Sequence, residues 1–228
     1  LSGINVLDEA LPGKPGVLPG SLIALTGSEL GGKTALALWF VRTALKDPLR
    51  SAAWLSCGER LSENSWRWAG LDDSRFAEII PVMISGTMLA SELIDHGVDI
   101  VVIDSAAALG DPERSHPGAE LSLGLWHFKQ TLKKHGALGI ITNQERRAPG
   151  GKLYGPGESA VSSRLIDIRI NLRSGEGLYR GGEQYGARIH FCLEKSGSNP
   201  MGVGWEGRFN VHFTKGLSDL RGTVPEYS

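Results

Sequence analysis

One stretch of eight residues, with its two flanks, limits the fold of this chain more than any other feature. Gly27-Ser28-Glu29-Leu30-Gly31-Gly32-Lys33-Thr34 fits the pattern GxxxxGK[ST]. Before it, Ser21–Thr26 is a short apolar run bounded by Pro19-Gly20, which is the pattern of a buried strand. After it, Lys33–Leu45 is rich in helix formers and stops ahead of Asp47-Pro48. A glycine-rich turn between strand and helix is the setting in which backbone N–H groups and a helix N-terminus cradle a phosphate. In that setting Lys33 neutralises β- and γ-phosphate charge and the Thr34 hydroxyl ligates Mg²⁺.

The rest of the chain repeats the strand–helix alternation. Ser51–Leu55, 78–83, 98–104 and 137–142 read as buried strands. Thr87–His96, followed by Gly97, reads as a helix. Leu121–His135 carries Leu121, Leu125, Phe128 and Leu132 on one helical face. Alternation of this kind predicts βαβ crossovers and a largely parallel sheet covered on both faces. Past residue 165 the pattern changes. Leu165–Leu172, 187–193 and 208–213 read as strands with short connections, an antiparallel extension of the same sheet. No linker marks a second domain, so 1–228 is expected to be one domain.

Composition narrows the function. With 24 Lys+Arg against 25 Asp+Glu the net charge is −1, which excludes a globally basic nucleic-acid binder but not a local basic face. No apolar run approaches the ~20 residues of a membrane span. There is no charged-then-apolar leader, and the chain starts at Leu1. Cys57 and Cys192 are isolated, so neither a disulfide framework nor a zinc site is expected, and a reducing cytoplasm fits.

Two more signals sit at predicted strand ends. Asp104 closes the run Ile100-Val101-Val102-Ile103. A carboxylate at the C-terminal end of a parallel strand faces the ligand crevice, where it organises Mg²⁺ beside a phosphate loop. Asn143-Gln144 follows the 137–142 strand. Gln144 is placed to reach a γ-phosphate or its attacking water, although such a pair also simply terminates strands.

These residues resemble the RecA-family recombinase core. Ser2–Leu11 with Leu18-Pro19-Gly20-Ser21 looks like that family's entry into the phosphate-loop strand. The segment 98–109 is similar to its Walker B segment, Asn143-Gln144 to its γ-phosphate switch, and Ser163–Arg169 and 213–217 to its closing segments. The resemblance implies a RecA-like α/β P-loop fold, ATP and Mg²⁺ as cofactors, and single-stranded DNA as partner. It also implies a homo-oligomer, filament or ring, with nucleotide at subunit interfaces. Gly27, Ser28, Glu29, Leu30, Gly31, Gly32, Lys33, Thr34, Asp104 and Gln144 would bind nucleotide, with Thr34 and Asp104 on the metal. The loops 109–120 and 145–163 would face DNA. The second holds Arg146, Arg147, Lys152 and Tyr154 among glycines, a composition suited to a single strand and equally to a solvated surface loop.

The chain departs from the family in places. The catalytic glutamate position falls on Gly58, and Glu59 is the next residue. Glu59 is therefore the expected water-activating carboxylate, or else a surface charge beside Arg60. The adenine-stacking tyrosine falls near Ser65, with Trp66 and Trp68 beside it. Lys195 is the nearest match to a lysine that reaches a neighbouring subunit's nucleotide, and is otherwise a solvated hairpin lysine. The family's N-terminal polymerisation segment and any additional C-terminal DNA-binding domain are not matched. Three functions follow: an ATP-dependent single-stranded-DNA-binding recombinase or annealing factor, a RecA-like accessory regulator of repair or translesion synthesis with weak ATPase, and a ring helicase or signalling ATPase of the same superfamily.

Overall fold

The computed structural model describes Ile4, residues 7–8, 17–71, 74–81, 86–106, 117–144, 164–196, 203–214 and 216–219. Nine strands form one sheet in the order β3-β2-β4-β5-β1-β6-β7-β8-β9. They are β1 Leu22–Gly27, β2 Ala52–Ser56, β3 Phe76–Ile79, β4 Ile100–Asp104, β5 Leu138–Gln144, β6 Ile168–Arg180, β7 Glu183–Ser196, β8 Glu206–His212 and β9 Gly216–Asp219. From β3 through β6 every pairing is parallel, and from β6 to β9 every pairing is antiparallel. The expected parallel sheet with an antiparallel C-terminal extension is therefore the observed one.

Among the described residues four helices cover the parallel half: α1 Lys33–Ala44, α2 Glu63–Ala69, α3 Gly86–Asp95 and α4 Pro117–His135. Strands β1 and β2 are buried along their whole length. Alternate residues supply two cores, as the period of two requires. Ile23, Leu25, Trp54, Val102 and Ile140 pack with Leu36, Trp39 and Phe40 of α1. Leu22, Ala24, Leu55, Val101 and Ile103 pack with Ile94 of α3 and with Leu125, Phe128 and Leu132 of α4. The predicted apolar stripe of α4 at 125, 128 and 132 is thus its buried face.

Three local readings change. The third strand ends at Ile79 rather than running to 83. Pro81 has no N–H to donate to a ladder, which suits an end of pairing just before it, and residues 82–83 lie outside the described residues. Helix α2 is an addition, with both terminal signals in the sequence: the Ser62 hydroxyl accepts from Ser65 N at 3.2 Å, and Gly70 ends the helix at φ 64°. Strands β6 and β7 are longer than predicted, turning at Gly181-Gly182 with φ of 59° and 86°.

A buried ion pair holds the far end of the sheet. Lys129 Nζ of α4 donates to Gly20 O at 2.7 Å and to Asp167 Oδ2, which also accepts Leu22 N at 2.7 Å. The helix, the start of β1 and the start of β6 are thereby joined, at the end opposite the Gly27 turn.

Candidate functional site

The C-terminal ends of β2, β4, β5 and β1 lie side by side at one edge of the sheet. β1 ends at Gly27, in register with Gln144 of β5 and Leu172 of β6. Ser56 of β2 is in register with Asp104 of β4.

The turn after β1 depends on its glycines. A Cβ on Gly27 would lie 1.9 Å from the Leu172 carbonyl oxygen, and one on Gly31 would lie 2.8 Å from it. Gly27 and Gly32 have φ of 133° and 85°, values that L side chains rarely adopt. Leu30 carries a positive φ of 57° and is exposed at the tip of the turn. Helix α1 starts at Lys33 with no side-chain cap and no acidic residue in its first turn. Its first N–H groups and its positive dipole end therefore face the turn. Lys33 Nζ donates to Gly27 O at 3.1 Å and to Ser28 O at 2.6 Å.

Asp104 is the centre of the site's hydrogen bonding. Thr34 Oγ1 donates to Asp104 Oδ2 at 3.3 Å, and Thr142 Oγ1 donates to Oδ1. Burial pushes the Asp104 carboxyl above its usual range and the charge of Glu59 pushes the same way, while the two threonine hydroxyls and the Lys33 charge pull it down. Burial also pushes the neighbouring Cys57 thiol up to about 12, with the Asp104 charge adding to it. The Asp104–Ser105 peptide bond is cis.

The structure brings Lys33, Thr34, Asp104 and Gln144 to one edge, as the motifs predict. Glu59 is exposed in the loop after β2 and close enough for its charge to act on Asp104. That loop is tied down by a residue the sequence reading did not single out: Glu78 Oε1 of β3 accepts Ser56 Oγ at 2.5 Å and Leu61 N at 2.8 Å. Cys57 N donates to the Asp104 carbonyl oxygen at 2.7 Å. The tryptophans near the tyrosine position are packing groups. Trp66 meets Phe76 edge-on at 5.2 Å, and Trp68 donates to His212 O at 2.5 Å. Lys195 is paired with Arg169 near the start of β6, at the end of the sheet away from Gly27, so it does not approach this chain's own turn. Burial, reinforced by Arg169, lowers its ammonium pKa. Arg146, Arg147, Lys152 and Tyr154 lie outside the described residues, as do both segments expected to face DNA apart from 117–120.

The donor set fits a metal–nucleotide: an ammonium, a run of backbone N–H groups, a hydroxyl and a carboxylate, with Thr34 bonded to Asp104 and the Lys33 charge close enough to act on it. Among the described residues no helix is long and apolar enough to cross a membrane.

No protein-family model matches the chain. Among curated proteins it is similar to Protein RecA of Gloeobacter violaceus, 27% identical over 246 residues, covering 96% of this chain and 62% of the relative. It is also similar to Protein RecA of Nostoc punctiforme, 30% identical over 242 residues, with 96% and 64% covered. The chain thus spans just under two thirds of the length of these relatives. Among solved structures, the crystal structure of the RadB recombinase matches with a TM-score of 0.69 at 22% identity, covering 96% of this chain and 99% of that one. At that identity the likeness is one of fold. The RecA-family core read from the motifs is borne out along nearly the whole chain.

Proposed function

Starting from a core of the RecA type, we propose that this chain binds ATP with Mg²⁺ and works on single-stranded DNA, as a recombination or annealing factor in homologous recombination and repair. One observation carries the reading: Thr34 of the turn bonds Asp104 of β4 and the Lys33 charge acts on the same carboxyl, with Gln144 next to Gly27 in register. In this reading the backbone of 27–32 and Lys33 hold the phosphates. Thr34 and Asp104 hold the cation, which withdraws charge from the phosphates when bound. Glu59 takes the proton from the attacking water, and Gln144 faces the γ-phosphate. Gln144 also immediately precedes the basic segment 145–163, so a side chain held by phosphate would order the root of that segment, an order–disorder change biased by ligand. Arg146, Arg147, Lys152 and Tyr154 would there contact a DNA strand. The remote position of Lys195 suits contact with the nucleotide of a second copy, in a filament or ring.

The test is ATP turnover with and without single-stranded DNA, alongside particle images of the mixture. Stimulation by DNA and ordered assemblies support the reading. A folded Lys33→Ala protein that keeps wild-type ATP affinity would sink it. DNA binding is tested by a salt series. Each phosphate contact contributes a slope of about −0.7 for single strands, so removing Arg146, Arg147 and Lys152 together should flatten the slope by ~2. Identical slopes would move the DNA site elsewhere.

A second reading has its own observation. Gly58 stands where the family's catalytic glutamate belongs, and Glu59 is exposed rather than buried against the turn. An accessory regulator that binds ATP and turns it over poorly would carry such a change. Tight ATP binding without turnover, in the presence or absence of DNA, would favour it.

A further inference from the structure

We infer that Glu78 is the positioning residue of the hydrolytic site, fixing the loop that carries Glu59 by holding both of its ends through one carboxylate oxygen. The inference rests on the hydrolysis reading above and deepens it.

The geometry is specific. Ser56 is the last residue of β2 and Leu61 lies five residues on. Glu78 sits on the adjacent strand, in register with Trp54. Its Oε1 accepts both the Ser56 hydroxyl at 2.5 Å and the Leu61 amide at 2.8 Å. A third tie anchors the loop to β4, where Cys57 N donates to the Asp104 carbonyl at 2.7 Å. Only Gly58, Glu59 and Arg60 lie between the ties at Cys57 and Leu61. A span so short has little freedom once both ends are fixed, and Gly58 supplies the backbone latitude needed to aim its neighbour.

This arrangement accounts for how a displaced acid can still serve. A general base acts within about 3 Å of its proton, directly or through one water. A misplacement of ~1 Å can cost about 100-fold. Were the loop untied, Glu59 would sample the solvent in which it is already exposed. Tied at Ser56, Cys57 and Leu61, it is held near Asp104. Glu78 holds both loop ends with one oxygen, so the role assigned to it is positioning.

The experiment compares wild type with Glu78→Gln, Glu78→Ala, Ser56→Ala, Glu59→Gln and the double variant Glu78→Ala/Glu59→Gln. Single-turnover hydrolysis, ATP affinity and amide exchange at Leu61 are measured on each. Glu78→Ala should slow hydrolysis by ~30-fold or more while ATP affinity changes by less than about two-fold, the signature of a lost position rather than lost binding. Glu78→Gln keeps an acceptor oxygen and should stay within about three-fold of wild type. Ser56→Ala removes one tie with little disturbance and should fall between, which keeps the test informative if Glu78→Ala fails to fold. The double variant should be no slower than Glu59→Gln alone, since both changes disable one group. Leu61 should lose amide protection in Glu78→Ala and keep it in Glu78→Gln. Equal defects in Glu78→Gln and Glu78→Ala, or a double variant slower by the product of the two single defects, would overturn the inference and leave the hydrolysis reading standing. If wild type binds ATP and never turns it over, the hydrolysis reading falls instead. Unchanged Leu61 exchange in Glu78→Ala then removes the tether as well, and lost protection retains it as a structural tie alone.

Discussion

Replacing Lys129 by alanine isolates the pin that joins α4 to β1 and β6. Its side chain is 5% exposed and that of Asp167 is 34% exposed. The substitution removes the side-chain donor to the Gly20 carbonyl and leaves the Asp167 carboxylate hydrogen-bonded to the Leu22 amide. Breaking a buried pair from one side costs about 3–5 kcal/mol, because the remaining charge is uncompensated. Asp167 is a third exposed, keeps one hydrogen bond and still has the Lys195 charge nearby, so part of that cost is offset and about 3 kcal/mol is expected. For a chain of this size each kcal/mol lowers Tm by about 2–4 °C, giving a fall of roughly 6–12 °C. The assay is denaturant unfolding of wild type, Lys129→Ala, Asp167→Asn and Lys129→Met/Asp167→Asn. The last variant removes both charges while keeping their bulk, and should recover at least about 1 kcal/mol relative to Lys129→Ala. ATP affinity should be unchanged throughout, since the pair sits at the opposite end of the sheet from Gly27. A loss below about 1 kcal/mol in Lys129→Ala would refute the view that this pair fastens the sheet.

Other outcomes follow from the crevice. Gly27→Ala would place a methyl 1.9 Å from the Leu172 carbonyl. It should cost about 3 kcal/mol or more and abolish ATP binding, checked by thermal unfolding and titration. Asp104→Asn should stabilise the nucleotide-free protein at neutral pH while weakening Mg²⁺–ATP binding. Burial raises the folded carboxyl pKa above its unfolded value, so the folded state keeps the proton longer and stability falls as pH rises from the unfolded pKa through the folded one. The advantage of the variant should therefore widen across that window, and a variant less stable than wild type at pH 7 contradicts the sign. Cys57, with its thiol at about 12, should react with iodoacetamide at pH 8 about 1000-fold more slowly in the folded protein than in the unfolded chain, by mass spectrometry.

The parts of this molecule legible in its sequence are those written locally. The turn at 27–34 carries its own glycines, and Asp104 and Gln144 close apolar runs whose ends mark the crevice. Contacts made across the fold leave no such mark. Glu78 meets residues 17 and 22 positions away, and nothing in Phe-Ala-Glu-Ile announces a tether. The Leu172 carbonyl that closes on Gly27 is backbone and has no residue type to read. Helix α2 did have signals in Ser62 and Gly70, but its seven residues include only one that is fully buried, Ala69, so no apolar stripe drew attention to it. The long β6–β7 arm is hidden for a similar reason. Gly175, Gly177, Gly181 and Gly182 break the alternation of apolar residues, and the segment reads as loop although its ladder continues to Arg180 and Glu183.

The groups of the proposed nucleotide site are paired with one another inside the protein. Lys33, which in the proposed reading meets phosphate oxygens, donates to the carbonyls of Gly27 and Ser28. Its charge thus rests on acceptors of the loop that would wrap the phosphate. Asp104 would be driven toward protonation by burial, but Thr142 and Thr34 each donate a hydroxyl to it. Those donors favour the ionised form that a cation needs. The two threonines then divide the work. Thr142, buried on β5, can keep its bond to Asp104 whether or not a cation is present. Thr34, at the first turn of α1 and 3.3 Å from Asp104, makes the longer contact, and it can turn its oxygen toward a metal with little to give up. In the proposed reading Lys33 and Thr34 would exchange one partner for another on binding while Thr142 keeps its own, so none of the three would be left buried and unpaired. That is the condition under which such a site holds its geometry at small cost in reorganisation.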